Sequence, residues 1–327
     1  MILQTQIPIK KQERNLIDYD SKLLLLGSCF SENIGRKLAY YQFQSTQNPF
    51  GILFHPKAIE TLISNAIHKK KYTEYDLFFL NERWHCFDVH SNLSSPNKQE
   101  LLDHLHTIVT DTHERLQTAS HIIITLGTAW VYRFLGSDSI VANCHKVPQK
   151  QFSKEILSIT SVTESLTNIY NLIQSVNKKA TLIFTVSPVR HIKDGFVENL
   201  RSKSNLIAGI HNFNDQLTIN NKQSQYPVLD TQYFPSYEIM MDELRDYRFY
   251  AEDMIHPNQT AIDYIWEKFV ATWFTDSSLT TMQRVEEIQK GLAHKAFNPN
   301  SEAHQKFLQK LSQKKTSLIK TYPFMSF

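Results

Sequence analysis

Four side chains able to support nucleophilic catalysis fall in two short stretches far apart in the chain. Ser28 and Cys29 lie in Leu23-Leu24-Leu25-Leu26-Gly27-Ser28-Cys29-Phe30-Ser31, and Asp253 and His256 lie in Asp253-Met254-Ile255-His256-Pro257-Asn258. The first stretch reads as a buried apolar strand that runs into a sharp turn, with Gly27 relieving the crowding where the backbone leaves a sheet. A helix that begins near Ser31 would point its free N–H groups back at that turn, where they stabilise a thiolate or an oxyanion. In the second stretch, a carboxylate three residues before a histidine can reach the ring nitrogen. Pro257 at a first helical position would hold the histidine outside the helix. His256 is then suited to be a general base whose tautomer Asp253 fixes. The plainer alternative is a buried, apolar Cys29, a Ser28 that only caps a helix, and a solvated His256 at a helix start.

The elements that must position these groups are legible as an alternation of short apolar runs and helical stretches, which predicts βαβ units around a mainly parallel sheet. Strands are expected at 22–26, 121–126, 181–186 and 227–230. Helices are expected at about 31–41, 56–68, 98–118, 161–177 and 197–219, with right-handed crossovers. A further helix after His256 has an apolar stripe of Ala261, Ile262, Ile265, Trp266 and Phe269. In such a sheet the functional residues gather at the carboxyl ends of the strands. Those ends are Gly27 to Cys29, Gly127 to Trp130, Ser187 to His191, and the stretch from Tyr233 to His256. Two β-prone segments stand outside the alternation: 83–89, and a hairpin of 131–134 and 140–143 around 135–139. From about 277 the composition turns to Gln, Lys and Glu, with helical patterns near 282–293 and 301–318. The expectation is one domain over 1–276 with inserted hairpins, and a helical extension over 277–327 packed on its outside.

Composition excludes several classes. The 327 residues include 35 Lys and Arg against 32 Asp and Glu, a net charge of +3, and 41% of them are hydrophobic. That is enough apolar material for a packed core and too little positive charge to argue for a nucleic-acid partner. The first eight residues lack a secretory signal's basic head and apolar stretch, and no run approaches the roughly 18 apolar residues of a membrane span. A cytoplasmic chain with no membrane partner is expected. The three cysteines, Cys29, Cys86 and Cys144, form no CxxC pair and should be reduced thiols. No histidine pair lines up with a third ligand, so neither a metal nor another cofactor is expected.

Gly27-Ser28-Cys29-Phe30-Ser31 resembles the motif that names the GSCFA proteins, and Asp253-x-x-His256-Pro257 resembles the closing block of the SGNH/GDSL hydrolases, to which that family is related. The likeness extends over about 20–275, through Asn48-Pro49-Phe50-Gly51, Gly127 to Tyr132, Asn143 to Lys146, and Thr185 to Val189. It implies a three-layer αβα, SGNH/flavodoxin-like fold and acyl-ester chemistry. The GDSL register places Cys29 on the nucleophile and Ser28 on the preceding Asp position. Ser28 remains the other candidate. Cys29 is favoured physically, because a thiol at a helix N-terminus beside a histidine can reach thiolate at neutral pH. By the same likeness, Gly51 would donate a backbone N–H to the oxyanion alongside the N–H of Cys29. Hydrolases of this type carry Gly-x-Asn-Asp after the third strand, whereas Gly127 is followed by Thr128, Ala129 and Trp130. Thr128, Asn143 and His145 are the groups that could take the place of the missing Asn. Without a substitute, hydrolysis should slow on the order of 10² to 10³-fold.

Among the 14 histidines, His85, His90, His145 and His191 stand near turns, and an ordinary structural role is expected for each. Arg190 could clamp a substrate carboxylate or phosphate, or form a plain salt bridge. The aromatic segment 233–250 could be a lid or a sugar-stacking platform, with Tyr237, Glu238 and Arg248 as contacts, or simply a packed excursion. These readings converge on an esterase or acyltransferase acting on a small-molecule or saccharide ester. The competing reading is a non-catalytic small-molecule or glycan-binding module of the same fold. Sequence does not fix the oligomeric state.

Overall fold

The leucine run divides its side chains between two cores. The computed structural model describes residues 5–221 and 229–327, with backbone alone at 220 and 221. Its elements run β1 (Lys22–Gly27), α1 (Cys29–Tyr40), β2 (Gln44–Gln47), α2 (Pro56–Ile67), β3 (Leu77–Leu80), β4 (Arg83–Cys86), α3 (Lys98–Thr118), β5 (His121–Leu126), β6 (Trp130–Phe134), β7 (Ser139–Val141) and β8 (Phe152–Ile156). They continue with α4 (Ile159–Val176), β9 (Thr181–Val186), α5 (Phe196–Asn221), β10 (Asp230–Phe234), the short turn α6 (Ser236–Glu238), α7 (Gln259–Trp273), α8 (Asp276–Ala293) and α9 (Glu302–Thr321). Leu24 and Leu26 enter one apolar cluster with α2 to α5, while Leu23 and Leu25 enter the other with α1 and α7. Successive strand side chains point to opposite faces, so a strand covered on both sides must be apolar throughout. The result is a sheet between two helical layers, the three-layer αβα arrangement.

The central sheet has the order β10-β9-β5-β1-β2, and every pairing in it is parallel. Taken in order of appearance along the chain, that is 2-1-3-4-5, which reverses direction between β1 and β5 and opens a crevice beyond their carboxyl ends. β3 pairs with β4, and β6 pairs with both β7 and β8, as separate antiparallel sheets beside that edge. The hairpin around 135–139 is therefore present, with β8 as a third strand.

Two expectations need correction and one falls partly outside the described residues. The edge strand β2 was not expected, because Gln44-Ser45-Thr46-Gln47 is entirely polar and an edge strand need not be apolar. Pro257 is not the first helical residue. Asn258 caps α7 by accepting from the Ala261 N–H at 3.1 Å, and Pro257 stands before it in a bridge with Tyr250. Of the strand expected at 227–230, Pro227 and Val228 lie outside the described residues and β10 begins at Asp230, while the opening stretch 1–4 is likewise undescribed. The C-terminal helices pack through Val285, Ile288, Leu311 and Leu318 into the cluster that covers α1 and α7. Among the described residues, no helix is long and apolar enough to cross a membrane.

Candidate active site

Gly27 is required where β1 ends. Its φ is +130°, and a Cβ there would stand 2.1 Å from the Thr125 carbonyl oxygen on the neighbouring strand. The chain turns at once into α1. Ser28 is fully buried, and its hydroxyl accepts from the Phe30 N–H at 3.3 Å, so it is the helix N-cap. Cys29, the first helical residue, is only half-buried. Of the two candidate nucleophiles, the hydroxyl is sealed into a cap and the cysteine keeps some exposure. Burial and then Glu32 push the Cys29 pKa above the ordinary thiol value, while Lys203 and the N–H groups of Cys29 and Phe30 pull it down. The net direction is upward, which corrects the expectation of a ready thiolate: the helix terminus does not offset desolvation.

The second stretch reaches the same edge of the sheet. Asp253 accepts at one oxygen from the Ile255 and His256 N–H groups, at 2.9 and 3.0 Å, and meets His256 Nδ1 at 2.6 Å with the other. Those bonds hold the Asp253 carboxyl down to about 2, so it is ionised and His256 Nδ1 carries the hydrogen that it accepts. The loop is pinned to the end of β9, since the Arg190 N–H donates to the Ile255 carbonyl at 3.2 Å. Next to it His191 packs on Phe54, and burial, then Lys203 and His256, depress its pKa to about 3.

Lys203 is the group that sequence reasoning missed. It is 1% exposed, and its Nζ donates to the carbonyls of Gly127 at 2.7 Å and Ser187 at 2.8 Å, which end β5 and β9. Burial lowers its pKa to about 7, and the charge it feels is that of Cys29. A signal was present: Asn199, Ser202, Lys203, Leu206, Ile210 and Phe213 are all buried and lie on one stripe of α5. Its polar half faces the strand ends. Asn199 accepts from the His191 N–H at 2.8 Å, and Ser202 accepts from the Ala129 N–H at 2.7 Å. A lysine inside such a stripe is a rare choice unless something there uses it.

The remaining expected residues divide. The Gly51 N–H is committed to the Asn48 carbonyl at 2.8 Å, within a turn where φ is +76°, so it is spent on the fold rather than on an oxyanion. The Thr128 hydroxyl bonds Ser202 and the Trp130 N–H, both at 3.0 Å. His145 is buried against Phe78, His85 and Phe87, donates Nε2 to the Cys86 carbonyl at 2.7 Å, and is held near 4 by burial. It is a packing histidine, as are His85, on Ser94 and the Leu80 carbonyl, and His90, on Asn92. Arg190 stacks on Tyr250 and Tyr247 and donates to the Tyr250 hydroxyl at 3.0 Å. The segment before the Asp-His element is no lid: Tyr237, Ile239, Met240 and Leu244 are core residues, Glu238 takes the Tyr233 hydroxyl, and Arg248 pairs with Asp246.

Beside the crevice an open cleft of about 610 Å³ is walled by Phe54, Thr128, Trp130, Tyr132, Asn143 and Phe152, with Cys144 and Lys193 also on its lining. Phe54 links this cleft to the strand ends. Its carbonyl accepts from Gly127 and Thr128, at 2.7 and 3.0 Å, and its ring contacts His191. His55 fixes the back of the cleft by accepting from the Ala58 N–H at 3.0 Å and donating to the Val141 carbonyl at 3.1 Å.

Comparison with family models matches residues 22–269 to the GSCFA family and residues 285–327 to the GSCFA domain protein, C-terminal domain. No curated protein matches the chain.

Proposed function

The chain belongs to the GSCFA family, and we propose that its crevice performs acyl transfer from an ester, as an esterase or acyltransferase related to the SGNH/GDSL hydrolases. The observation that carries this reading is the 2.6 Å Asp253–His256 pair, anchored at the strand edge where Cys29 opens a helix. In the reaction Cys29 gives up its thiol proton to a basic side chain at the strand ends as its sulfur attacks the ester carbonyl, and its N–H stands beside the developing oxyanion. His256, entering the step as the imidazolium that Asp253 stabilises, protonates the departing alkoxide and is left neutral. Water or a second alcohol then attacks the thioester, gives its proton to His256, and returns Cys29. Trp130, Tyr132 and Phe152 supply flat apolar faces for a saccharide or similar acceptor. The boundary near 277 fits the same reading, with the reaction placed in 1–276 and the C-terminal helices acting as a support.

The test is turnover of a short-chain aryl ester, together with trapping of the acyl group on a peptide that contains Cys29. Loss of both in Cys29→Ala and of turnover in His256→Ala supports the proposal; wild-type rates in both variants defeat it. One feature favours the binding-module reading, namely that the Gly51 N–H is already committed. That reading predicts no turnover in the wild-type chain but saturable binding of a glycan or small ligand in the aromatic cleft.

A further inference from the structure

We propose that Lys203 is the base that takes the proton from Cys29, leaving His256 to serve the leaving group and the incoming water. This rests on the acyl-transfer reading above and assigns a step within it. A lysine amine has four positions, one on carbon and three for hydrogens or a lone pair. In Lys203 two are fixed by the Gly127 and Ser187 carbonyls. The one that remains is a lone pair when the amine is neutral and an N–H when it is charged. A proton gained or lost at that position therefore leaves the other two bonds in place.

Placement supports the pairing. Gly27 of β1 is in register with Thr125 of β5, and the Ser28 N–H donates to the Thr125 carbonyl at 3.0 Å. Cys29 and Gly127 each lie two residues beyond that matched pair, at the same edge of adjacent strands. The groups that face Lys203 are Cys29 from α1, His191 from the β9–α5 connection and the Tyr237 ring from α6, 5.5 Å away. None of them is a carboxylate. Among the described residues its hydrogen bonds go to two carbonyls and to no carboxylate, so burial favours the neutral amine that a base requires and lowers its pKa to about 7. The thiol, for its part, is not ionised in advance, so it needs an acceptor at the moment of attack.

The step balances. The Cys29 S–H proton passes to Lys203 Nζ, making an ammonium, while the sulfur forms its bond to the carbonyl carbon. The C–O bond of the ester breaks and the alkoxide takes a proton from His256, which enters as the imidazolium on Asp253 and is left neutral. After water attacks and loses a proton to His256, the C–S bond breaks and the thiolate leaves paired with the Lys203 ammonium, which returns the proton.

The experiment follows alkylation of Cys29 by iodoacetamide against pH in a Cys86→Ala/Cys144→Ala background, with aryl-ester turnover measured alongside. The expected profile has a step near pH 7, where Lys203 titrates, and Lys203→Met removes it. The rate then rises only above about 9, the ordinary thiol value, and alkylation at pH 7.5 drops on the order of tenfold or more. Lys203→Arg keeps a cation that cannot give up its proton, so it should also lack the step. His256→Ala should keep the step while ester turnover falls. The assignment is overturned if Lys203→Met or Lys203→Arg retains the step, or if His256→Ala is the variant that loses it. Should both Lys203 variants fail to fold, the wild-type profile still decides, because a rate that climbs only above about pH 9 rules Lys203 out. Full turnover in Cys29→Ala would instead defeat the acyl-transfer reading itself, whatever the alkylation profile.

Discussion

Two half-buried thiols, each with a lysine in electrostatic reach, lie in two regions beyond the strand ends, and their surroundings differ in kind. Cys29 opens a twelve-residue helix, next to a lysine that is 1% exposed and bonded to two strand-end carbonyls. Cys144 lies in a loop on the wall of the aromatic cleft, its pKa pushed to about 11 by burial, with Lys193 pulling weakly the other way. Residue types alone would rate the two sites alike. What separates them is direction: the parallel strands deliver helix N-termini and backbone carbonyls to the crevice, whereas the antiparallel β6–β7–β8 sheet delivers side-chain faces to the cleft. Polar backbone groups dominate the first setting, and aromatic faces dominate the second.

The sharpest way to break this contrast is to remove each thiol. Cys29→Ala should lower aryl-ester kcat/KM by at least about 10³-fold, as loss of a nucleophile does, while Cys144→Ala should stay within about threefold of wild type; equal losses would erase the distinction. Next in size, Asp253→Asn should cost roughly 10² to 10⁴-fold in kcat with KM nearly unchanged, because the imidazole loses its enforced tautomer. A rise in KM instead would move Asp253 from chemistry to binding. On the cleft side, Trp130→Ala should raise KM for a saccharide ester by about tenfold with kcat little altered, the pattern of a contact made equally in ground and transition states. An effect on kcat alone would place Trp130 with the crevice.

The smallest effect is on stability and involves both regions. His55 and His145, held near 4 by burial, and His191, held near 3, are neutral in the fold. Once unfolded they titrate at their ordinary value of about 6.5, so the unfolded chain binds more protons below that pH. Their contribution is complete above pH 6.5 and is lost progressively as pH falls through 6 to 4. Thermal melts between pH 7.5 and 4.5 should show Tm falling with acid, and a flat Tm would mean that these rings are not held neutral.

Much of the fold could be read in advance because burial writes itself into the pattern. Apolar runs mark β1, β5 and β9, and the helix at 98–118 matches α3 at both ends, where Asn97 caps its start. The polar β2 left no such trace, since an edge strand answers to its neighbour's backbone rather than to a core. At the site, the Asp253–His256 pair was legible because its partners are three residues apart. Gly51 misled, because a motif gives a residue's identity and not where its N–H is spent.

The chain alone thus determined the layered architecture, the thiol at the start of a helix and the carboxylate beside its imidazole, all consequences of short-range spacing and periodic burial. Only the tertiary structure decided that Ser28 is sealed, that His145 packs away from the crevice and that Lys203, 174 residues beyond Cys29 in the numbering, is buried beside it. Desolvation and hydrogen-bond partners depend on which distant strands end together, and no local pattern encodes that.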